Sequence, residues 1–147
     1  YSVDYALESS DNASNVDIKF YAYGGQGVLR MYAIDGGNDT KCSEFKGKNG
    51  SVADMEVQNK TRLLAVPGFD FDNATAESIS NAISASNITS NKINPFVVGD
   101  IIAFKTADTS TAGGGRIGVM KILSDTQVVS NNPTARIITV SIKLPKK

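Results

Sequence analysis

The residues of this chain best suited to recognition chemistry are Tyr21, Tyr23 and Tyr32, with Lys19 and Arg30 set among them. A tyrosine ring offers an apolar face to a sugar ring or a partner side chain while its hydroxyl stays wet, and a nearby charge adds directed contacts. Tyr21, Tyr23, Arg30 and Tyr32 are therefore the candidate ligand-binding residues, for a glycan or another surface protein. The competing reading is that a second sheet covers these rings, or that they simply stabilise a strand pair. Tyrosine over arginine is a common cross-strand packing pair.

Two oxygen-rich loops come next, Asp35-Gly-Gly-Asn-Asp39 and Asp70-Phe-Asp-Asn73. They make Asp35, Asp39, Asp70 and Asp72 weak calcium candidates, because calcium prefers carboxylate and amide oxygens. Neither run matches the spacing of a calcium loop, and turn and cap chemistry accounts for both. No metal or other cofactor is expected. Acidic pairs for glycoside hydrolysis can be drawn from Asp54, Glu56, Asp70 and Asp72. Nothing in the sequence sets any two at the required separation of roughly 5–9 Å. Gly113-Gly-Gly115 lacks the Lys-Ser/Thr of a phosphate loop and precedes a strand, so it reads as a mobile hairpin tip. Cys42 is the only cysteine, which leaves no internal disulfide and an idle thiol. The absence of histidine excludes His-dependent triads, His metal sites and imidazole switching. The expectation is a protein that is not an enzyme.

The tyrosines must be positioned by a hairpin. Val16 to Tyr23 and Val28 to Ile34 flank Gly24-Gly-Gln-Gly27, a turn signal between two alternating runs. Pairing Tyr23 with Val28 sets Ala22 opposite Leu29, Phe20 opposite Met31 and Ile18 opposite Ala33 on one face. Tyr21 opposite Arg30 and Lys19 opposite Tyr32 share the other. A one-residue slip would scramble both faces, so burial favours this register. On it, at least two of the three tyrosines should be partly exposed.

The centre of the fold is expected at Phe96 to Leu123. Ile102 and Phe104 share one strand face and Ile101 and Ala103 the other, while Met120 and Ile122 alternate with Ile117 and Val119. Apolar residues on both faces predict strands covered on both sides. Gly118 predicts a bulge or a close backbone approach. Val3, Tyr5 and Leu7 predict a short first strand, Ala53, Met55 and Val57 a half-buried one, and Thr61 to Val66 another. Asp35 to Gly50 reads as loop, anchored by Phe45. Ala74 to Ser86 has helical spacing, with Ala76, Ile79, Ala82 and Ile83 on one stripe and Asp72 or Asn73 as N-cap. Ile138, Val140 and Ile142 form one face of a last strand beside the central hairpin.

The fold class predicted is a single mainly β domain over residues 1–147, an antiparallel β-sandwich or partly open barrel with one short helix. The alternative is α+β, a single curved sheet with the helix on one face. Its core should include Phe20, Met31, Ile102, Phe104, Met120, Ile122, Val140 and Ile142. A chain of 147 residues is long enough for one domain that buries roughly 70% of its unfolded surface. Net charge is zero with no basic cluster, which argues against a nucleic-acid partner. No run is long enough for a membrane helix. The sequons at Asn12, Asn38, Asn49, Asn59, Asn73 and Asn87 fit chance in so Asn/Ser/Thr-rich a chain.

Val98-Gly-Asp-Ile-Ile-Ala-Phe-Lys-Thr-Ala-Asp108, Gly115-Arg-Ile-Gly-Val-Met-Lys-Ile122 and Ile138-Thr-Val-Ser-Ile-Lys143 carry a resemblance, joined by Asn59-Lys-Thr-Arg62 and Phe69-Asp70. Together these cover about half the chain. They resemble a β-rich domain of uncharacterised secreted lipoproteins and cell-surface, adhesion-type proteins of anaerobic gut bacteria. The loop from Thr109 to Gly114 is longer here than in that pattern. The resemblance implies an extracytoplasmic, non-catalytic module, secreted or anchored at the cell surface. A start at Tyr1 fits a processed product from which a lipoprotein leader has been removed. The expected function is glycan or protein binding in adhesion. The alternatives are a structural spacer in an envelope or fimbrial assembly and an Asp/Glu-dependent glycoside hydrolase.

Overall fold

The computed structural model describes residues 14–36, 46–47, 50–51 and 55–146. Its elements run β1 (Ile18–Tyr23), β2 (Val28–Ala33), β3 (Lys46–Gly47), β4 (Gly50–Ser51), β5 (Arg62–Ala65), α1 (Ala76–Ala82), β6 (Lys92–Ile93), β7 (Ile101–Lys105), β8 (Ile117–Gln127) and β9 (Arg136–Lys143). The strands form a three-stranded sheet ordered β1-β2-β6, a four-stranded sheet ordered β5-β7-β8-β9, and the small β3-β4 ladder. Every pairing is antiparallel. Among the described residues the fold is mainly β with one short α-helix, and the sheets do not close into a barrel.

The two-faced apolar pattern of β7 and β8 has its expected consequence. Ile102, Phe104, Met120 and Ile122 point to the three-stranded sheet and pack with Leu29, Met31, Leu63 and Phe96. Ala103 and Val119 face the other way, against Phe71, Ile79, Ile83 and Ile88. The four-stranded sheet is thus the middle layer, between the hairpin sheet and α1. Each large apolar side chain fully buried there contributes about 1.5–3 kcal/mol. Gly118 lies opposite Phe104. A Cβ there would collide with the Phe104 ring and approach the Lys143 carbonyl oxygen to 2.9 Å. The close approach is real, but the bulge falls later, between Ile122 and Ser124 against β9.

Several expectations are corrected. Ile142 is 55% exposed, and Phe20 and Val140 are half-buried against the core instead of inside it. Beyond Met120 and Ile142 the edge strand β9 has a sheet neighbour on one side only, so its inward side chains reach the open margin of the sandwich. Met55 to Lys60 is not a strand, and Ala53 and Asp54 lie outside the described residues. The helix is shorter than its periodicity, and a single 3-10 turn at Ala85–Asn87 follows it. Its N-cap is Thr75, whose hydroxyl accepts from the Ser78 amide while the Ser78 hydroxyl accepts from the Thr75 amide. Of the predicted stripe, Ile79 and Ile83 are buried and Ala76 and Ala82 are exposed. β3 and β4 form inside the stretch read as loop. The first-strand residues Val3, Tyr5 and Leu7, and Phe45, lie outside the described residues.

Candidate ligand-binding surface

The N-terminal hairpin forms in the register that burial requires. Tyr23 pairs with Val28, Tyr21 with Arg30, Phe20 with Met31 and Lys19 with Tyr32. The turn works because Gly24 and Gly27 take φ of 74° and 62°, values that side chains resist. Gly27 has a second task. Its α-carbon sits so close to the Pro133 carbonyl and the Arg136 guanidinium that a methyl group would overlap both. The hairpin tip is thereby seated on the β8–β9 turn.

On the face away from the core, Tyr21 and Tyr23 lie with ring centroids 6.1 Å apart and planes 26° from parallel. The Arg30 guanidinium carbon lies 4.6 Å from the centre of the Tyr23 ring. Tyr23 is 48% exposed, and Tyr21 and Arg30 are half-buried. Two of the three tyrosines are thus partly exposed. Tyr32 is not: it is 5% exposed, and its neighbour Lys19 is fully buried, donating from Nζ to the Ile34 carbonyl at 3.1 Å. The expected face of three tyrosines is therefore a pair, and Tyr32 is a packing residue. The surface that remains sets near-parallel rings and a guanidinium on one strand pair, which is the equipment for stacking.

The described calcium candidates, Asp35, Asp70 and Asp72, each have other partners. Both Asp35 oxygens accept from Arg62, at 2.9 Å each. Asp70 accepts from the Asn73 amide at 3.2 Å and from its side chain at 2.9 Å. These bonds hold its carboxyl below the usual carboxylate range. Asp72 accepts from Lys121 Nζ at 3.0 Å. Asp39 lies outside the described residues, among which no three His, Cys, Asp or Glu side chains cluster as metal ligands would. Turn and ion-pair chemistry occupies Asp35, Asp70 and Asp72.

No protein-family model, curated protein or solved structure matches this chain. The assignment of a site therefore rests on geometry alone.

That geometry contains one assembly with no warning in the sequence. Asp17, just before β1, accepts at Oδ1 from Asn59 Nδ2 (3.1 Å) and Thr61 Oγ1 (3.2 Å), and at Oδ2 from Ser110 Oγ (3.0 Å). Asn59 is itself fully buried. Its amide also donates to the Ser14 and Val16 carbonyls, both at 3.0 Å, and its oxygen accepts from Thr109. Thr111 donates to Asn15. Burial pushes the Asp17 carboxyl above its usual range, and the bonds from Ser110, Thr61 and Asn59 pull the other way without cancelling it. Thr109, Ser110 and Thr111, in the loop between β7 and β8, thus supply the clamp that ties three distant segments together. Among the sequons, Asn59 has no surface to offer a glycosyl donor, while Asn73 and Asn87 are exposed. Asn12, Asn38 and Asn49 lie outside the described residues.

Proposed function

We propose that this chain is a non-catalytic, extracytoplasmic surface module that binds a glycan through Tyr21, Tyr23 and Arg30. The observation that carries this reading is the partly exposed, near-parallel tyrosine pair with a guanidinium over one ring. A pyranose presents a patch of C–H groups that packs on a tyrosine ring, and the Arg30 guanidinium beside it can meet a sugar hydroxyl. The residues are mounted on a strand pair instead of a loop, so little side-chain and backbone freedom is lost on binding. Of the carboxylates considered for acid–base hydrolysis, Asp70 is held by Asn73 and Asp72 by Lys121, Glu56 is exposed, and Asp54 lies outside the described residues. The likeness of the C-terminal half to secreted lipoprotein and adhesion domains supports a place at the cell surface.

Tyr21→Ala and Tyr23→Ala, tested on a glycan array and then by titration with the retained sugar, should each weaken binding by about tenfold, ~1.4 kcal/mol. A folded wild-type protein that retains no sugar, or variants that bind as well as wild type, would leave the structural-spacer reading in possession.

A further inference from the structure

A cleft of about 440 Å³ opens between the two sheets, away from the tyrosine pair. One wall is Ile18 and Phe20 of β1, and the other is Met120 of β8 with Val140 and Ile142 of β9. Asp17 lies on its wall and is the one ionisable residue among the described residues that line it. The ion pairs of the described residues use Asp35, Asp72 and Asp125, and none reaches Asp17. Its three hydrogen bonds all come from neutral donors.

An ionised carboxylate has about four acceptor positions. Asn59 and Thr61 take the two on Oδ1 and Ser110 takes one on Oδ2, which leaves the second position on Oδ2 for a further donor. Removing a carboxylate from water without a cation is costly, and neutral donors offset only part of that cost. A positive group brought into the cleft would supply the rest, while the apolar walls take an alkyl or aromatic body. The volume is in the range of small-molecule sites, roughly 300–1,000 Å³.

We infer that this cleft binds a small amphipathic primary ammonium, its charged head on Asp17 Oδ2 and its apolar body between β1 and β9. The charge on Asp17 sets the preference for cation over neutral or acid, and Ile142, exposed at the margin, forms the lip over which the ligand enters. The groups facing Asp17 from the other packed segments, Asn59, Thr61 and Ser110, do not titrate in the relevant range. Any change of ammonium affinity with mild acid therefore reports Asp17 itself. Burial raises the ionisation range of Asp17, so that change comes at higher pH than for an ordinary carboxylate.

The experiment titrates the full chain with phenethylammonium, 2-phenylethanol and 3-phenylpropanoate, followed by calorimetry and amide chemical shifts. The ammonium should bind at least about tenfold tighter than the alcohol, with the carboxylate weakest, and shifts should centre on the Asp17 and Ile142 segments. Lowering the pH should erase the preference for the ammonium and leave the alcohol unaffected. Asp17→Asn puts a second amide against three donors and risks the fold, so Ile142→Lys carries the location. At that exposed position, the added cation should abolish ammonium binding in a protein that melts like wild type. Tyr21→Ala and Tyr23→Ala should leave it intact, which separates this cleft from the glycan surface. Equal binding of all three probes, no binding of any, or unchanged ammonium affinity in Ile142→Lys would each overturn the inference.

Discussion

At the scale of single residues, Tyr23 and Tyr32 show how one strand face can hold two different roles. They point to the same side of the hairpin, yet one is half in water and the other is closed off. Tyr32→Ala should therefore cost about 3 kcal/mol, the usual cost of emptying a buried aromatic site. Tyr23→Ala should stay within about 0.5 kcal/mol, as exposed positions do. Urea denaturation of the two variants separates them. The sequence announced the register of these residues through Gly24 to Gly27 and the alternation around it. It could not announce that the Lys19 end is covered, because periodicity within β1 and β2 carries no trace of what lies over them. Asp17 was illegible for a related reason, since its partners come from segments far apart in the chain. It also yields a pH prediction. A carboxyl raised in the fold is protonated more readily there than in the unfolded chain. Its contribution is whole below the unfolded value near 3.8 and is lost as pH rises through the folded value. Asp70, lowered in the fold, works in the opposite sense over the acid side of the same value. Replacing Asp70 by Asn should thus leave a melting temperature that declines as pH rises from about 4 into the mildly acidic range. A flat profile would mean that Asp17 is not strained by its burial.

At the scale of elements, the hairpins were legible and the margins were not. The faces of β7 and β8 followed from apolar residues on both faces, because only a strand with cover on both sides tolerates that pattern. Ile142 has the same alternation as Val140 but reaches the edge of the sandwich, and alternation says nothing about where a sheet stops. The helix stops at Ala82, where Ile83 turns extended (φ −124°, ψ 105°) and the serines and asparagine that follow are weak helix formers. Two element-scale outcomes can be measured. Thr75→Ala removes one half of the capping box and should cost about 1 kcal/mol. Gly118→Ala forces a methyl into the Phe104 ring and should cost about 1–3 kcal/mol, with Phe104→Leu partly restoring the double variant. Both are read from thermal or denaturant unfolding.

At the scale of the whole molecule, the core between the sheets joins Leu29 and Met31 to Phe104, Met120 and Ile122, so neither sheet can bury its inner face alone. A peptide spanning Ser14 to Gly36 should accordingly give a coil-like circular dichroism spectrum, since a lone two-stranded hairpin is marginal in water. An ordered spectrum would mean that its own turn and cross-strand pairs suffice. The same division has a consequence for synthesis. The first hairpin leaves the ribosome well before the strands that cover it, so Leu29 and Met31 must wait, exposed, while the rest of the chain is made. For that interval the nascent chain carries an apolar hairpin face with no home, which is the kind of surface chaperones hold and neighbouring nascent chains mispair with. In a burst of expression, slowing translation early in the message should change nothing, whereas slowing it between the codons for Met31 and Ile102 should lower the soluble yield.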